Sequence, residues 1–484
     1  MALRLNEKKG SFERKGLFIF FPHLVVLLIT LAQTQIIRLF PLDSYNVQRW
    51  VQLVLFGVVF FAGCFLKSRV VFGGGRDRII VGGGIALLLL GASASILRSA
   101  FPIWSLLDFF YLLLLGGMTG AFFVAFCLQG EEGWSLFGAS VGIFMGGYSV
   151  FAILEVGIAN PITLRITATP GFSNIRLFSD IAVVLIPLSW LALGRGLGWR
   201  LYLWIVGGVW FWLLLLTEAR SGILSLFVGV AWVALFYKSE GKASFLRLLI
   251  LGLVTFVYYY VFPVFSPEGE LGWNRDLSSS SGRWELWLLS LQYFYEEFPY
   301  GIGGMMFAAD GRYGVASPHN IIMVLLAEWG GLAFLGMLFI FFVVVFRARK
   351  RDEHRVLCAP VTVAAVASGI NLMFAGAQIA PFSAIFLTLA WGGYLSTVFP
   401  GHVRGAGKAG IAVRSVAGAG LLVWSVVLGL AYGLYGYSEK TRASCDEERG
   451  VLFPRFWVQG RLDCGEGAMA GAGKLMLNDL SLLR

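Results

Sequence analysis

Residues 201–237 read LYLWIVGGVWFWLLLLTEARSGILSLFVGVAWVALFY, two apolar runs separated by a few polar residues. Each run is close to the length of about 20 residues that an α-helix needs to cross the hydrocarbon core of a bilayer. The connection between the runs is so short that the two segments must meet as a tight helical hairpin. This stretch therefore predicts transmembrane helices whose connection holds one arginine, Arg220, close to the membrane plane.

The rest of the chain repeats this pattern. Of the 484 residues, 58% are hydrophobic and only 14% are charged, and the mean hydropathy is +0.77, values that exclude an ordinary soluble enzyme. The predicted fold class is an all-α, polytopic transmembrane helical bundle of about 12 to 13 spans, with a long outer loop that contains an interfacial helix. The candidate spans cover residues 17–37, 50–66, 79–97, 104–128, 134–157, 179–193, 201–216, 221–237, 245–263, 319–346, 356–374, 379–398 and 411–436.

The distribution of Lys and Arg predicts the orientation of the bundle, because cytoplasmic loops of membrane proteins are enriched in them. A cytoplasmic N-terminus puts 22 of the 38 basic residues in inner loops and nine in the outer loops that precede the C-terminal tail. With thirteen spans, the C-terminus then lies outside. The chain carries a net charge of +10. When the charges are sorted by side, the inner loops hold the positive excess and the remainder of the chain is slightly negative. The outer side is therefore not a basic surface, and a nucleic-acid partner is excluded.

The same reading divides the chain into a transmembrane bundle over residues 1–436 and an outer tail over residues 437–484. The tail contains Cys445 and Cys464 in a polar stretch, where an oxidising compartment would permit a disulfide between them. The longest polar segment between spans is the outer loop 264–318. Loops of this length are usually functional or disordered, and its aromatic and apolar content argues against disorder.

Within the outer loop, apolar residues recur at helical spacing from Arg283 to Leu291. This pattern predicts an amphipathic helix on the membrane surface, with Trp284 and Trp287 at the level of the lipid headgroups. At the end of the loop, Ser317 is expected to cap the next span and Pro318 to be its first residue.

His319 and Asn320 would then lie in the first turn of a transmembrane helix, at its outer end. A helix N-terminus attracts anions and disfavours the imidazolium. A neutral imidazole beside a phosphate group can act as a general base for a hydroxyl nucleophile. The alternative is a histidine that only caps the loop or hydrogen-bonds to Asn320.

Three outer arginines accompany this histidine. Arg220 lies in the short hairpin connection, where an arginine is costly unless it is paired or faces water. Snorkelling to a lipid phosphate or an ion pair with Glu218 would account for it equally well. Arg283 begins the surface helix and could serve only as its anchor, and Arg176 follows Asn174 in the outer segment 157–178.

Other site chemistries find no support in the residue pattern. The four histidines are scattered, and no carboxylate pair has the spacing of a glycosidase or a cation site. We therefore expect a mechanism without a metal and without a cofactor.

The polar motifs, taken in order, resemble those of the O-antigen ligase and O-antigen polymerase superfamily. The resemblance covers about residues 171–346, roughly a third of the chain. The motifs that carry it are Gly171-Phe172-Ser173-Asn174-Ile175-Arg176-Leu177-Phe178, Glu218-Ala219-Arg220-Ser221-Gly222, Ser281-Gly282-Arg283-Trp284, Pro299-Tyr300-Gly301-Ile302-Gly303, His319-Asn320 and Glu328-Trp329-Gly330.

The resemblance implies a glycosyltransferase of the bacterial inner membrane that works on its periplasmic face. Its donor substrate would be a glycan linked to undecaprenyl pyrophosphate. Carried over to this chain, Arg220 and Arg283 would bind the pyrophosphate and stabilise the leaving group, and His319 would activate the acceptor hydroxyl. Arg176 would be an accessory donor contact, and we expect further substrate contacts from Asn174, Asn320 and Arg312.

The acceptor is open at this point. Lipid A-core is the first choice, and a growing polysaccharide or a protein side chain are the alternatives with the same donor. The candidate thirteenth span, residues 411–436, departs from the twelve spans expected of ligases and is closer to relatives that transfer glycan to protein. A membrane transporter or flippase is the alternative from another class, although its ionisable candidates, chiefly Asp108, Glu155, Asp180 and Glu328, mostly lie near span ends.

Overall fold

A computed structural model describes residues 22–23, 25–26, 44–64, 68–70, 75–129, 131–159, 175–216, 219–261, 282–310, 316–349, 358–399 and 403–405. Several predictions lie outside these residues: the first span beyond residue 26, the last candidate span, the tail with its two cysteines, and the side chains of Asn174 and Arg312.

The described chain is almost entirely helical. Within the described residues, each predicted span from 50–66 to 379–398 is largely helical, and the span 319–346 is divided into two helices by a π turn. The helices are α1 (Ser44–Cys64), α2 (Gly75–Arg98), α3 (Pro102–Leu128), α4 (Glu131–Ala159), α5 (Ile175–Ser189, continued by a 3₁₀ turn Trp190–Arg195), α6 (Leu197–Leu216), α7 (Arg220–Phe236), α8 (Lys238–Val261), α9 (Arg283–Glu296), α10 (Met306–Asp310), α11 (Ile321–Val324), α12 (Gly330–Arg349), α13 (Cys358–Asn371) and α14 (Pro381–Val398).

By length and composition, six helical stretches within the described residues can cross a membrane, and α7 and α13 are shorter apolar helices. The chain is thus an all-α polytopic membrane protein, as the hydropathy pattern predicts. Two three-residue strands, β1 (Ser68–Val70) and β2 (Val403–Gly405), form one small antiparallel pair between distant parts of the chain.

The core lies where the helices bury one another. Helix α5 is its centre, since Phe178 and residues 181–186 are almost fully buried. Trp210 of α6 packs beside Phe178, with 4.9 Å between the ring centroids, and its indole Nε1 donates a hydrogen bond to the carbonyl of Met145 at 2.9 Å. This indole N–H is thus satisfied within the bundle, as the interior of a membrane protein favours.

Helices α2 and α12 run antiparallel, and small residues allow their backbones to approach closely. A Cβ added to Gly84 would lie 2.8 Å from the carbonyl oxygen of Gly336, and one added to Gly91 would lie 2.5 Å from the nitrogen of Ala333. Glycine at such contacts permits backbone-to-backbone packing in membrane helices. At one end of this pair, Arg347 forms an ion pair with Asp77.

Candidate functional site

The conformation of His319 differs from its predicted one. The helix does not begin at Pro318. It begins at Ile321, and Asn320 is the N-cap residue. His319 therefore precedes the helix, in a left-handed conformation with φ of 54°, and its backbone N–H donates to Ser317 Oγ at 3.3 Å. The prediction that Ser317 is the N-cap was wrong because the Asn320 side chain sits in the better position to accept the first N–H groups.

The N-terminal N–H groups of this helix already have partners. Asn320 Oδ1 accepts from the backbone nitrogens of Ile322 at 2.9 Å and Met323 at 3.2 Å. The backbone nitrogen of Ile321 donates to the carbonyl of Leu372 at 3.0 Å. These contacts correct the expectation that this helix end presents free N–H groups to an anion. This helix end therefore does not by itself provide an anion site.

A π turn over Leu325–Trp329 connects α11 to α12 and anchors a glycine-rich segment. A π turn leaves carbonyl groups without their usual helical partners. The carbonyls of Ala327 and Glu328 accept instead from the nitrogens of Ile302 and Gly303, both at 2.9 Å. The two motifs, 299–303 and 328–330, therefore pack against each other.

Glycine is needed where these two motifs touch. Gly301 has φ of 79°, Gly303 has φ of 104° and Gly330 has φ of 78°. A Cβ on Gly301 would lie 2.7 Å from both the carbonyl oxygen of Glu328 and the nitrogen of Gly330. Side chains other than hydrogen would therefore strain the backbone and collide with it. This packing fixes the C-terminal end of α9 on the bundle.

Helix α9 was predicted as an interfacial helix and is confirmed as a helix over Arg283–Glu296. One side is buried against Phe307, whereas Trp284 and Tyr295 on the other side are 59% and 85% exposed. Trp287 departs from the prediction that it sits among the headgroups. Its indole Nε1 donates to the carbonyl of Pro318 at 3.1 Å, so this side chain turns toward the bundle.

The Trp287 contact brings two predicted site elements together. Trp287 lies four residues after Arg283, one turn further along the same helix, and Pro318 directly precedes His319. The Trp287 ring also approaches the ring of Phe374, at 6.5 Å between centroids. The helix that carries Arg283 is thus tied to the segment that carries His319. The Arg283 side chain itself is half-buried.

A chain of contacts places Arg220 at the same end of the bundle as His319. It is the first residue of α7, and its side chain is half-buried. Two residues later, a Cβ on Gly222 would lie 3.3 Å from the Cβ of Ser179 on α5. The neighbour of Ser179 is Asp180, which accepts a hydrogen bond from Asn371 Nδ2 at 2.6 Å. Asn371 is the last residue of α13. The next residue, Leu372, accepts a hydrogen bond at its carbonyl from Ile321, the first residue of the helix that follows His319.

Arg176 lies in the first turn of α5, four residues before Asp180, and thus on the same end of that helix. Its side chain lies outside the described residues, as do Asn174 and Arg312. The backbone therefore brings the elements of Arg176, Arg220, Arg283 and His319 to one end of the bundle.

Residues 372–380 join α13 to α14 and lie at the same end of the bundle as His319. We call this segment the 372–380 loop. A Cβ added to Gly376 would lie 3.7 Å from His319 Nδ1, so the loop backbone passes next to the imidazole. On its other side the loop meets Arg49, which is 1% exposed and donates to the carbonyl of Ile379. Tyr111 also binds the loop, because its hydroxyl donates to the carbonyl of Gln378 at 3.1 Å.

These loop contacts form one buried polar network. Arg49 Nη1 donates to the hydroxyl of Tyr111 at 2.9 Å and to Oε1 of Gln52 at 2.5 Å. Arg49 is one of the nine basic residues that the charge distribution assigns to the outer loops. The available signal was the group Gln48, Arg49 and Gln52, polar residues at helical spacing at the start of an apolar span. Their buried position follows from tertiary packing.

Comparison with known proteins gives one family. Residues 205–338 match the family model described as O-antigen ligase. The matched segment contains Arg220, Arg283, Arg312 and His319, and it lies within the range 171–346 of the predicted resemblance. No curated protein matches the chain.

Proposed function

Through residues 205–338 the chain falls in the O-antigen ligase superfamily, and we propose that it transfers a glycan from undecaprenyl pyrophosphate to an acceptor on the periplasmic face of the bacterial inner membrane. The first choice of acceptor is lipid A-core. The observation that carries the proposal is that Arg220, Arg283 and His319 all fall in the matched segment, on elements that meet at one end of the bundle. The excess of Lys and Arg in the opposite loops supports a periplasmic position for that end.

In the proposed reaction, His319 takes the proton of the acceptor hydroxyl, and the hydroxyl oxygen attacks the anomeric carbon of the donor glycan. The bond from that carbon to the pyrophosphate oxygen breaks as the new glycosidic bond forms. Undecaprenyl pyrophosphate leaves with its added charge stabilised by Arg220 and Arg283. Attack opposite to the leaving group inverts the anomeric configuration, and no metal or cofactor takes part.

Two features of the site support these roles. Guanidinium groups bind phosphate oxygens in pairs, which suits a leaving pyrophosphate. The N–H groups at the start of the helix after His319 already have partners, so we assign the pyrophosphate to the arginine side chains. The left-handed backbone of His319, between a polar turn and the 372–380 loop, holds the imidazole at the end of the bundle rather than inside a helix.

The test is transfer by the purified protein in liposomes that contain a lipid-linked glycan. Lipid A-core, a second lipid-linked repeat unit or a protein is offered as acceptor in separate reactions. We expect a new glycosidic bond on lipid A-core, and its loss in Arg220→Ala, Arg283→Ala and His319→Ala. Arg220→Lys should lose at least about tenfold in rate, because one ammonium cannot form the paired contact.

Arg200→Ala is the matched control, since Arg200 is exposed near the start of α6, the helix that precedes Arg220. It should transfer glycan like the unmodified protein. Product on the second repeat unit or on the protein would identify a polymerase or a protein transferase instead. Movement of the lipid-linked glycan across the bilayer without any new glycosidic bond would contradict the proposal and identify a flippase.

A further inference from the structure

The 372–380 loop buries an amide that nothing in the described part of the chain satisfies. The side chain of Gln378 is 5% exposed, and neither its Nε2 nor its Oε1 has a hydrogen-bond partner there. Directly before the loop, at the end of α13, Oδ1 of Asn371 is also buried and also without a partner in the described residues. Buried amide groups in folded proteins are almost always hydrogen-bonded, because burial without a partner destabilises the folded state.

The Gln378 side chain is not needed to hold the loop in place. The loop backbone is already bound on both sides of this position, since Tyr111 donates to the Gln378 carbonyl and Arg49 donates to the Ile379 carbonyl. A turn bond from the nitrogen of Ile379 to the carbonyl of Gly376 closes the same segment at 3.0 Å. An apolar side chain of equal size would fold here at lower cost, so the amide calls for a role other than folding.

The position of Gln378 indicates that role. Gly376, two residues earlier, borders Nδ1 of His319. Two residues span at most about 7 Å, so the Cα of Gln378 lies within that distance of the loop backbone beside the imidazole. The same loop contacts Trp287, one turn after Arg283, through Phe374. An unpartnered amide therefore lies in the loop that approaches both His319, the proposed base, and Trp287 on the helix of Arg283.

We infer that Gln378 binds a sugar hydroxyl next to the bond that the enzyme forms, and this inference rests on the proposed function. An amide has a donor and an acceptor side by side, and a hydroxyl group is both donor and acceptor, so a sugar can satisfy both atoms. Oδ1 of Asn371 offers a second acceptor at the other end of the loop. The acceptor sugar is the expected ligand, because His319 takes its proton from the acceptor hydroxyl.

The test compares Gln378→Met with the unmodified protein in two assays. In the first, binding of core oligosaccharide released from lipid A-core is measured without donor, and we expect about tenfold weaker binding in the variant. In the second, transfer kinetics should show about a tenfold higher KM for the acceptor, with kcat and the KM for the donor nearly unchanged. The melting temperature should stay equal or rise, because a buried amide without partners is removed.

Gln129→Met is the matched control. It removes another buried glutamine, at the C-terminal end of α3, about 27 Å along the helix from Tyr111. It should leave both assays unchanged. Gln378→Leu serves as a second apolar variant if the methionine variant does not fold.

The outcomes separate this inference from the proposed function. If Gln378→Met binds the oligosaccharide and transfers glycan like the unmodified protein, the inference is wrong and the proposed function stands. If the variant weakens oligosaccharide binding but no acceptor receives glycan from the unmodified protein, the proposed function fails and the sugar site stands. A rise in the KM for the donor alone would overturn the assignment to the acceptor.

Discussion

His319 occupies a backbone conformation that side chains with a Cβ seldom adopt. Its φ of 54° costs little only for glycine, although histidine tolerates it better than most residues. The backbone of His319 is held in this conformation because the preceding turn at Ser317 and the following cap at Asn320 fix it on both sides. Strain retained at one position is a sign that the side chain has a role.

Replacement of His319 by glycine separates the backbone from the side chain. We expect His319→Gly to keep the free energy of unfolding within about 1 kcal/mol of the unmodified protein, since glycine suits the left-handed conformation. Transfer should fall by about 10²- to 10⁴-fold, because the general base is lost. Unfolding in detergent and transfer in liposomes measure the two effects. A glycine variant that transfers within tenfold of the original rate would contradict the role of His319 as base.

Asn320 is predicted to contact substrate, and in the structure its Oδ1 caps a helix. Serine at an N-cap accepts the same backbone N–H groups. We therefore expect Asn320→Ser to keep both stability and transfer, and Asn320→Ala to lower the free energy of unfolding by about 1 kcal/mol. Thermal unfolding of the two variants, with transfer assayed in parallel, is the measurement. A stable serine variant without transfer would return Asn320 to the substrate contacts.

At the scale of elements, the site depends on how separate segments are joined. Helix α9 carries Arg283, and the loop before α11 carries His319. The hydrogen bond from the Trp287 indole to the Pro318 carbonyl joins them. The 372–380 loop is joined in the same way to α1 and α3 by Arg49 and Tyr111. Each of these contacts is a single hydrogen bond, but it sets the relative position of the two segments that it joins.

Trp287→Phe removes the indole N–H and retains an aromatic ring. We expect a fall in kcat of about tenfold, because the helix of Arg283 is no longer tied to the segment of His319, and misplaced catalytic groups lose rate steeply. Trp210→Phe is the control, since it loses the same kind of bond, to the carbonyl of Met145 in the core. The control should unfold more easily and keep its kcat per folded molecule. If both variants had the same kcat, the Trp287 hydrogen bond would not be what positions the Arg283 helix relative to the His319 segment.

Tyr111→Phe tests the buried network behind the 372–380 loop. The lost hydroxyl accepts from Arg49 and Gln52 and donates to the carbonyl of Gln378. Because these buried groups lose a partner, we expect the free energy of unfolding to fall by about 1 to 3 kcal/mol, and kcat to fall as the loop shifts. Tyr202→Phe loses a bond from its hydroxyl to the carbonyl of Gly142 at 3.0 Å.

The Tyr202 variant should lose a smaller part of its stability and keep kcat. Unfolding in detergent and transfer kinetics on the same preparations compare the two. If both tyrosine variants lost kcat equally, the effect would be general and the network would not position the loop.

At the scale of the whole molecule, the bundle depends on places where two helices touch through their backbones. The α2–α12 pair is the clearest example, and α12 continues directly from the π turn that holds the 299–303 motif. A shift of α12 would therefore move the turn that fixes α9. Helix packing far from the reacting groups thus contributes to the geometry of the site.

Gly336→Ala is expected to force this pair apart. Its new Cβ would lie 2.4 Å from the carbonyl oxygen of Gly84, a collision with backbone that no rotamer relieves. Overpacking of this kind lowers the free energy of unfolding by about 1 to 3 kcal/mol. Gly83→Ala is the matched control, because nothing lies within 4 Å of its added Cβ. Thermal unfolding should show the loss in Gly336→Ala alone, and equal melting temperatures would mean that the close approach is not required.

The sequence alone was sufficient to predict the membrane fold and the resemblance that the family model finds over residues 205–338. Runs of apolar residues long enough to cross a bilayer are read directly from the chain, because each span must satisfy its own backbone hydrogen bonds and so is a local property. The motifs that include Arg220, Arg283 and His319 likewise lie in short local stretches. The helix over Arg283–Glu296 follows from the same kind of periodicity.

Only the tertiary structure decided which polar groups already have hydrogen-bond partners. The inward turn of Trp287 and the burial of Arg49 each depend on a partner far away in the chain, so no local pattern predicts them. The same holds for Gln378, whose amide is notable only because its neighbours leave it without a partner. The cap at Asn320, by contrast, uses the nearby N–H groups of Ile322 and Met323. A sequence states which donors and acceptors exist, and packing determines which of them remain for a substrate.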